Sequence, residues 1–342
     1  MSAVVPLLMA CRAHHGDGSG GREAPPTIIE PADSGGSGPT SDSGYRHPDV
    51  YTAVDVETVQ GCGVVSDGTL RCWGTEDWVR LVPGFRTIIT QLSVGFLTKC
   101  TVSDSGQVEC WCDLPGDAGL VCGVEPPETD FVRVETNGMA GCAQHDDGTL
   151  RCFAGSNKSS VRGAPRRPLL DFTVGDRMAC GILLDGTPTC WGDTYWFNPQ
   201  EIGDGEFGLG EAPPLDLTYT AIAVGDRHGC ALDTDVEAHC WGTDWYEQDF
   251  PDAPPGPFVS LAANDSVSCG LHPDGVAECW GTTPLAGPPH DPRPLTQLEV
   301  PDERFSSSAV GTEDNACGVT LDGRIVCWGA YDEQNELIPP LY

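Results

Sequence analysis

Basic residues are scarce in this sequence. Lysine occurs only at Lys99 and Lys158, and 18 Lys and Arg residues stand against 51 Asp and Glu, which gives a formal net charge of −33. Binding to nucleic acid or to an anionic membrane surface requires a basic patch that neutralises phosphate groups, and no stretch of the chain supplies one. We therefore expect no nucleic-acid partner, and contact with a membrane only through a lipid anchor.

Long apolar runs and a helical hydrophobic period are also missing. No run reaches about 18 apolar residues, the length of a membrane-spanning helix. The 43 Gly and 29 Pro residues favour many tight turns over long helices. The short motifs of serine hydrolases, zinc proteases, P-loop proteins and Cys-x-x-Cys redox proteins do not occur. We accordingly expect no catalytic residues, no cofactor and no bound metal.

Cysteine, in contrast, is abundant and regularly spaced. Sixteen of the 17 cysteines fall into eight pairs with nine residues between the two members: Cys62 with Cys72, Cys100 with Cys110, Cys112 with Cys122, Cys142 with Cys152, Cys180 with Cys190, Cys230 with Cys240, Cys269 with Cys279, and Cys317 with Cys327. Seven of these pairs share one local context, as in CGVVSDGTLRCWG over residues 62–74. Asp-Gly stands between the cysteines in five of them and is replaced by Ser105-Gly106 and Asp235-Val236 in the other two. Trp-Gly follows the second cysteine in five, with Trp111-Cys112 and Phe153-Ala154 in the others. Recurrence of one segment indicates a structural repeat.

The spacing within a pair fits a β-hairpin. If the two cysteines face each other across antiparallel strands, a three-residue loop such as Ser66-Asp67-Gly68 remains, with the glycine in the left-handed conformation. Facing Cα atoms at a non-hydrogen-bonded pair lie about 4.5 Å apart, a distance that a disulfide tolerates. We predict one local disulfide per hairpin. Zinc is the alternative, but the ligand spacings of zinc sites are absent.

Each repeat contains at least three predicted strands. Apolar residues alternate with polar ones on both sides of the Asp-Gly turn, and an additional strand precedes each hairpin, ending for example at Val56 or Val174. The residue after each first cysteine is small, which we expect where another backbone packs close; these residues are Gly63, Thr101, Ala143, Gly181, Ala231, Gly270 and Gly318. Seven such sheets need a closed ring, so the sequence predicts an all-β, seven-bladed β-propeller.

The repeat also resembles that of the regulator of chromosome condensation family. The matching pattern is clearest from Val174-Gly175 through Cys180 and Asp185-Gly186 to Cys190-Trp191-Gly192, and Gly205–Gly210 is similar to a segment that follows the hairpin in that family. The cysteine-paired form looks like secreted bacterial members. The resemblance covers about 85% of the chain and implies a seven-bladed propeller, but family members differ in activity and partner, so it implies no particular ligand.

The leftover cysteine lies near the start of the sequence. Residues 1–11 end in Leu8-Met9-Ala10-Cys11, which looks like a bacterial lipobox with Cys11 as the acylated residue, although no Lys or Arg opens the segment. A short apolar start with a stray cysteine is the other interpretation. Residues 12–45 are rich in Gly, Ser and Pro, which predicts a disordered tether, and residues 46–342 would then form the propeller.

Aromatic residues outside the repeat core are the candidates for a binding site. Six tryptophans follow a second cysteine and are predicted to lie in the core. Trp78, Trp196 and Trp245 instead follow a hairpin, and the same loops contain Tyr195, Phe197, Tyr246 and Phe250. Equivalent loops of a propeller emerge on one rim, so these side chains could form a binding surface for a protein or a glycan. The alternative is that each aromatic residue covers its own blade.

Other candidates for chemistry are weaker. His228 precedes a hairpin, where a packed structural role is favoured over that of a general base, and calcium stays open because acidic loops suit it. We predict a monomeric, extracytoplasmic binding module, either a lipoprotein of a bacterial cell envelope or a secreted protein, because eight cysteine pairs require an oxidising compartment. The alternatives are a secreted inhibitor of a hydrolase and a hydrolase or lyase with carboxylates in the central channel.

Overall fold

The fold was analysed in a computed structural model that describes residues 49–57, 60–74, 87–112, 121–155, 161–175, 178–192, 216–243, 250–264, 267–281, 300–311 and 315–329. These residues belong to the compact unit Asp49–Tyr342. Their regular structure is entirely β: they form 21 strands, and among them there is no helix with the length and apolarity of a membrane span. The predicted boundary between tether and propeller at residues 45 and 46 lies outside this part of the chain.

The strands form seven antiparallel sheets, each made of three consecutive strands, which we number as blades 1 to 7. Their bounds are β1 Tyr51–Glu57, β2 Gln60–Val65 and β3 Leu70–Gly74; β4 Ile89–Gly95, β5 Thr98–Ser103 and β6 Val108–Cys112; β7 Phe131–Thr136, β8 Ala140–His145 and β9 Leu150–Ala154; β10 Leu169–Val174, β11 Met178–Leu183 and β12 Pro188–Gly192; β13 Tyr219–Val224, β14 His228–Asp233 and β15 Ala238–Gly242; β16 Ser260–Asn264, β17 Val267–Leu271 and β18 Ala277–Gly281; β19 Phe305–Val310, β20 Asn315–Thr320 and β21 Ile325–Gly329.

The blades close into a ring. The first strand of each blade, which we call the inner strand, contacts the inner strand of the next blade, and the inner strand of blade 7 contacts that of blade 1. Seven hydrophobic clusters fill the seven spaces between neighbouring blades, including the space between blades 7 and 1. The predicted seven-bladed propeller is therefore confirmed, and every blade is built from one continuous stretch of chain.

All sixteen paired cysteines form the predicted disulfides. Seven bonds cross a hairpin, one in each blade: Cys62 with Cys72, Cys100 with Cys110, Cys142 with Cys152, Cys180 with Cys190, Cys230 with Cys240, Cys269 with Cys279, and Cys317 with Cys327. The two members of each of these bonds lie directly opposite each other in the strand register, with Cα atoms 3.9–4.1 Å apart. The predicted pairing is confirmed at every hairpin.

The eighth disulfide does not cross a hairpin. It joins Cys112, at the end of β6, to Cys122 in the segment before β7, and their Cα atoms are 5.9 Å apart. This bond closes the additional loop between blades 2 and 3. Because all sixteen thiols are used in disulfides, the zinc alternative for these cysteines is excluded.

Each hairpin disulfide packs against an aromatic ring of the following blade. In the cluster between blades 1 and 2, Cys62 and Cys72 lie with Trp111 of blade 2, and the same arrangement recurs around the ring. Between blades 5 and 6 the contact includes a hydrogen bond, in which Trp280 Nε1 donates to Cys240 Sγ at 3.3 Å. The six tryptophans predicted to lie in the core are all buried: Trp73, Trp111, Trp191, Trp241, Trp280 and Trp328.

The Asp-Gly turns have the predicted three-residue geometry. In blade 1, Val65 N donates to Thr69 O at 2.8 Å and Gly68 has φ +81°, while Asp67 Oδ1 accepts a hydrogen bond from Thr69 N at 2.9 Å. Hydrogen bonding to Thr69 lowers the pKa of Asp67. The aspartate thus fixes the turn while the glycine takes a backbone conformation that a Cβ atom disfavours.

The turn carbonyls also join the blades. Gly68 O accepts a hydrogen bond from Ile89 N, the first amide of the next inner strand, at 2.9 Å. The corresponding bond occurs at all seven junctions, with donor–acceptor distances of 2.7–3.1 Å: the other donors are Phe131, Leu169, Tyr219, Phe258, Phe305 and Tyr51. The last of these, Tyr51 N to Gly323 O at 2.8 Å, closes the ring between blades 1 and 7.

Blade 5 makes the same junction without glycine. Val236 occupies the glycine position of its turn and has φ +63°, and its carbonyl oxygen accepts the hydrogen bond from Phe258 N at 2.9 Å. The left-handed conformation costs an L-residue about 1–2 kcal/mol, and β-branched residues adopt it rarely. The junction between blades 5 and 6 is therefore retained at the expense of backbone strain.

The small residues after the first cysteines lie close to large side chains. A Cβ atom on Gly63 would meet Ile325 Cδ1 of blade 7 at 2.6 Å and the ring of Tyr51 at 2.7 Å. A Cβ atom on Gly181 would meet Leu169 Cδ1 at 2.7 Å and the backbone oxygen of Asp171 at 2.9 Å. The close backbone that we expected is therefore present at Gly181, whereas at Gly63 the nearest atoms belong to side chains.

Substitution of Val236 by Gly is expected to stabilise the protein by up to about 1 kcal/mol. The variant removes the cost of a left-handed β-branched residue, of which the greater chain entropy of glycine offsets about 0.5–1 kcal/mol. Guanidinium unfolding without reductant measures the change. The matched opposite substitution, Gly323→Val, should destabilise the protein, since Gly323 has φ +83° in the same turn position of blade 7. Lower stability of Val236→Gly would contradict the strain at this turn.

Candidate functional site

A cavity of about 410 Å³ lies on the ring axis, at the end of the propeller where the inner strands terminate. Its wall combines carboxylates, amides and hydroxyls with aliphatic side chains. The acidic residues that line it are Asp55, Glu57, Glu135 and Asp226. Among the lining residues that the structure describes there is no Lys, Arg or His.

The inner strands place these acids by their alternation. In β1, Val54 and Val56 are buried between blades, while Asp55 and Glu57 belong to the other side of the strand. Asp55 is opposite Cys62 in the register, and the equivalent positions of blades 2 to 4 carry Ser93, Glu135 and Thr173. Blades 5 to 7 carry alanine there: Ala223, Ala262 and Ala309. One half of the ring is therefore polar and the other half small and apolar.

Asp55 connects blades 1 and 2 through backbone hydrogen bonds. Its Oδ2 accepts from Val94 N of the next inner strand at 2.7 Å, and its Oδ1 accepts from Val56 N at 2.9 Å. Burial, with a smaller contribution from the nearby Glu135 carboxylate, raises the pKa of Asp55 to about 7 although the two backbone donors lower it. The carboxyl group consequently exchanges its proton close to neutral pH.

Blades 3 and 4 share a partly buried charge network. Arg133 donates to Glu135 Oε1 at 2.9 Å and also to Asp171 Oδ1, and its guanidinium carbon lies 5.0 Å from the centre of the Phe172 ring. Burial lowers the pKa of Arg133, but Asp171 and Glu135 raise it more, so the guanidinium stays charged. Burial also raises the pKa of Glu135, an effect that Arg133 opposes. Asp171 Oδ2 reaches blade 5 by accepting from Ile222 N at 2.8 Å.

The cavity also brings distant blades together. Asn264 of blade 6 donates through Nδ2 to Glu57 Oε2 of blade 1 at 2.7 Å, past the intervening blade 7. Asn137 Nδ2 donates to Gly175 O of blade 4 at 2.7 Å. Polar side chains at the ends of the inner strands are therefore linked by hydrogen bonds across the wall of the cavity. The sequence prediction did not include these residues, although the Val-Asp-Val-Glu alternation of β1 was a signal for them.

The structure does not test the predicted binding residues. Trp78, Tyr195, Trp196, Phe197, Trp245 and Tyr246 lie outside the described residues, as does Cys11, so their roles stay predictions. The strands that precede them are described. The third strand of each blade runs parallel to the inner strand because both are antiparallel to the middle one. Consequently β3, β12 and β15, which these loops follow, end on the same side of the ring as the cavity.

Two further residues from the sequence analysis are placed in the core. Phe250, which follows Trp245 and Tyr246 in the chain, is buried and stacks on His228 with a centroid distance of 3.7 Å. His228 is fully buried, and its Nε2 lies 2.8 Å from Ser268 Oγ of blade 6. The packed role expected for His228 is confirmed. Phe250, which had been grouped with the rim aromatics, contributes to the blade interior instead.

Exposed aliphatic side chains concentrate at the opposite end of the propeller, which we call the turn end. Eight of the ten large hydrophobic residues exposed in the described part lie in the Asp-Gly turns or near the beginnings of the inner strands: Val50, Ile88, Val132, Leu170, Leu184, Val236, Val259 and Leu321. Every blade contributes at least one of them, so they are spread around the ring. The turn end is thus the competing location for a binding surface.

Comparison with solved structures identifies the fold. The chain is similar to the ectodomain of the receptor kinase CR4 from Physcomitrella patens, with 24% identity over 83% of this chain and 74% of that one and a TM-score of 0.61. The CRINKLY WD40 ectodomain of the Arabidopsis thaliana receptor kinase ACR4 gives 19% identity, 84% and 100% coverage and a TM-score of 0.59. No protein-family model matches the chain.

A third structure bears on the resemblance found in the sequence. Prp20p from Saccharomyces cerevisiae, the yeast RCC1, shares 14% identity over 83% of each chain with a TM-score of 0.56. The similarity therefore extends to a propeller of the regulator of chromosome condensation type. At these identities the comparisons establish the β-propeller fold, and the activity has to be argued from the site.

The folding stability is expected to fall as the pH rises from 5 to 8. Asp55 has a higher pKa in the folded state, about 7, than its ordinary value of 3.8, so the folded protein holds a proton that the unfolded chain releases. The effect, on the order of 2–4 kcal/mol, is present in full below the unfolded pKa and is lost through pH 7. Guanidinium midpoints at each pH measure it.

Asp55→Asn should flatten this pH profile while lowering stability at pH 5, because an amide offers one acceptor oxygen to two backbone donors. The control is Asp67→Asn in an exposed turn, whose lowered pKa affects stability only in the acid range. An unchanged pH profile in Asp55→Asn would refute the assignment.

Proposed function

We propose that the protein is a non-catalytic binding module that works outside the cytoplasm, anchored by a lipid on Cys11 and holding a protein or glycan on the loop rim around the cavity. One observation carries the proposal: β3, β12 and β15 end on the side of the ring where the acidic cavity lies. The loops with Trp78, Trp196 and Trp245 begin there. Aromatic side chains in such loops are effective anchors for a partner.

The compartment is supported by the disulfides. Each blade has one disulfide across its hairpin. Disulfides form and persist in oxidising environments, and a chain with so many of them fits such a compartment. Two of the similar structures are ectodomains of receptor kinases, which also face the outside of a cell. A bacterial lipoprotein would combine this compartment with acylation at Cys11 and a tether over residues 12–45.

The binding role is supported by the nature of the fold and by charge. Prp20p, a propeller of similar structure, binds Gsp1p and histones. A rigid ring that carries long loops suits recognition, because the scaffold holds the loops without their sequences contributing to the core. The formal charge of −33 favours a basic or neutral partner over an acidic one.

The carboxylates of the cavity are better suited to structure than to hydrolysis. Both oxygens of Asp55 accept backbone hydrogen bonds, and Glu135 is paired with Arg133. A glycoside hydrolase needs one carboxylate that attacks the sugar (retaining) or activates water (inverting), while the other donates a proton. Groups held in this way by the scaffold support a non-catalytic role.

Site-specific photocrosslinking in intact cells tests the rim. A benzoylphenylalanine at Trp196 or Trp245 should give a covalent adduct, whose composition by mass spectrometry distinguishes a peptide from a sugar. Matched probes at Leu184 and Leu321 of the turn end, which are 60% and 68% exposed, should give none. In the same cells the wild-type protein should fractionate with membranes and Cys11→Ser should not.

The outcomes separate the alternatives. Adducts only from Leu184 or Leu321 would move the binding surface to the turn end and contradict the rim. An adduct from the rim with a hydrolase whose activity is blocked would identify the inhibitor form of the same function. Equal fractionation of wild type and Cys11→Ser would refute the lipid anchor without affecting the rim.

A further inference from the structure

The central cavity has the composition of a ligand site as well as the shape. Its volume of about 410 Å³ lies within the usual range of small-molecule pockets, roughly 300–1,000 Å³. The wall holds four carboxylates together with the apolar residues Phe96, Met139 and Ala263, none of which is buried. Polar groups of one sign converging on a partly apolar cavity define the chemistry of what the cavity would accept.

We propose that this cavity binds an organic cation, namely a primary ammonium or guanidinium group with an attached aliphatic chain. The proposal concerns the cavity itself and does not depend on the aromatic loops of the rim. The cation could belong to a free small molecule or to the side chain of a bound polypeptide, and both sources share this chemistry.

The charges of the wall favour a cation. Asp55, Glu57, Glu135 and Asp226 line the cavity, and the guanidinium of Arg133 beside them is engaged by Glu135 and Asp171. The negative potential is strengthened by the low dielectric of the surrounding blades and by the charge of the whole chain. Burial is the main cause of the raised pKa of Asp55, and the nearby Glu135 carboxylate adds to it.

Acceptor capacity remains in the carboxylate of Asp55. Each of the two oxygens of Asp55 accepts one backbone hydrogen bond, and an ionised carboxylate offers about four acceptor sites in all. Hydrogen bonds from an ammonium or guanidinium group to carboxylates are short and strong. An incoming cation can therefore add to the existing hydrogen bonds of Asp55 without replacing them.

The apolar side of the wall and an aromatic ring at its edge fit the rest of the ligand. Met139 and Ala263 line the cavity and are partly exposed, so they can contact an aliphatic chain. Phe96 also lines the cavity and is 53% exposed, in the turn between β4 and β5 where Leu97 has φ +55°. A cation that passes the face of such a ring gains further attraction. An uncharged polar molecule would gain neither effect.

Other charged groups around Asp55 define its response to pH. Glu135 of β7 is paired with Arg133, which also contacts Asp171 of β10. Glu57 follows on the strand of Asp55, and Asp226 lies in the turn before β14. Lys99 lies on β5 opposite Val94, is buried and donates a hydrogen bond to Gln60 Oε1. Blades 6 and 7 contribute the uncharged Ala263, Asn264 and Val310 to the wall. A bound cation would favour the ionised form of Asp55, so binding should release a proton near pH 7 and strengthen as the pH rises to 8.

The experiment uses calorimetry on the full chain at low salt with two cationic probes. Agmatine represents a free cation, and a blocked Gly-Arg-Gly peptide represents a side chain; the same peptide with citrulline in place of arginine is the neutral control. Repeating the titration at pH 7 in buffers with different ionisation enthalpies gives the number of protons released.

Two charge variants and one steric variant locate the site. Glu57→Gln keeps an acceptor for Asn264. This variant and Asp55→Asn should each weaken binding about tenfold, which is the contribution of one hydrogen bond to a charged group. Ala263→Leu should weaken binding by filling the cavity without changing charge. Glu109→Gln, which alters an exposed acid on the outer strand β6, should leave binding unchanged.

The site is supported if agmatine or the arginine peptide binds saturably and the variants weaken or preserve binding as stated. The probe that binds more tightly identifies the source of the cation. Proton release should disappear in Asp55→Asn. Absence of saturable binding by both probes would overturn the proposal. Equal binding of the citrulline peptide, or equal weakening by Glu109→Gln, would also overturn it. Thermal unfolding of each variant confirms that the fold is retained.

Discussion

The hydrogen bond from a turn carbonyl to the first amide of the next inner strand is the contact on which this propeller depends. It requires a left-handed residue in the turn, since that conformation directs the carbonyl of Gly68 toward Ile89 of the neighbouring blade. The glycine of the Asp-Gly repeat is thus an inter-blade feature as much as a hairpin feature. Val236 shows how strong the requirement is, because a β-branched residue takes the same conformation to keep the junction.

The disulfides and tryptophans complete the same junctions from the outer part of each blade. A sheet of three short strands has little core of its own, and a local bridge limits the freedom of its unfolded hairpin. The bridge then serves as a packing surface for the ring of the next blade, as the Cys62–Cys72 bond does for Trp111. Stability and closure therefore come from one repeated contact, and the loops and inner side chains are left to vary.

That division explains how much could be predicted from the sequence. Hairpins, disulfides and buried tryptophans depend on spacing within one repeat, and all were predicted correctly. The pairing of Arg133 with Asp171, or of Asn264 with Glu57, depends on which blades meet around the axis, and a repeat pattern does not contain that information. The packing of Tyr51 over Gly63 was missed because a small residue signals close approach without naming the neighbour.

The inner strands differ from blade to blade in the side chains that they direct toward the ring axis. Blades 1 to 4 present Asp55, Ser93, Glu135 and Thr173 where blades 5 to 7 present alanine. At this position of the inner strand, blades 1 to 4 therefore present polar groups, and blades 5 to 7 present only a methyl group. Phe250 and the rim aromatics show the limit of composition alone, since an aromatic residue after a hairpin can either pack inward or remain available to a partner.

Residue-resolved amide hydrogen exchange tests the closed ring most directly. The seven junction amides, those of Tyr51, Ile89, Phe131, Leu169, Tyr219, Phe258 and Phe305, each donate to a turn carbonyl of the preceding blade. All seven should exchange slowly and at similar rates, because opening one junction requires separation of two packed blades. Exchange of the Tyr51 amide at least tenfold faster than the other six would contradict the account, since the ring would then be open between blades 7 and 1.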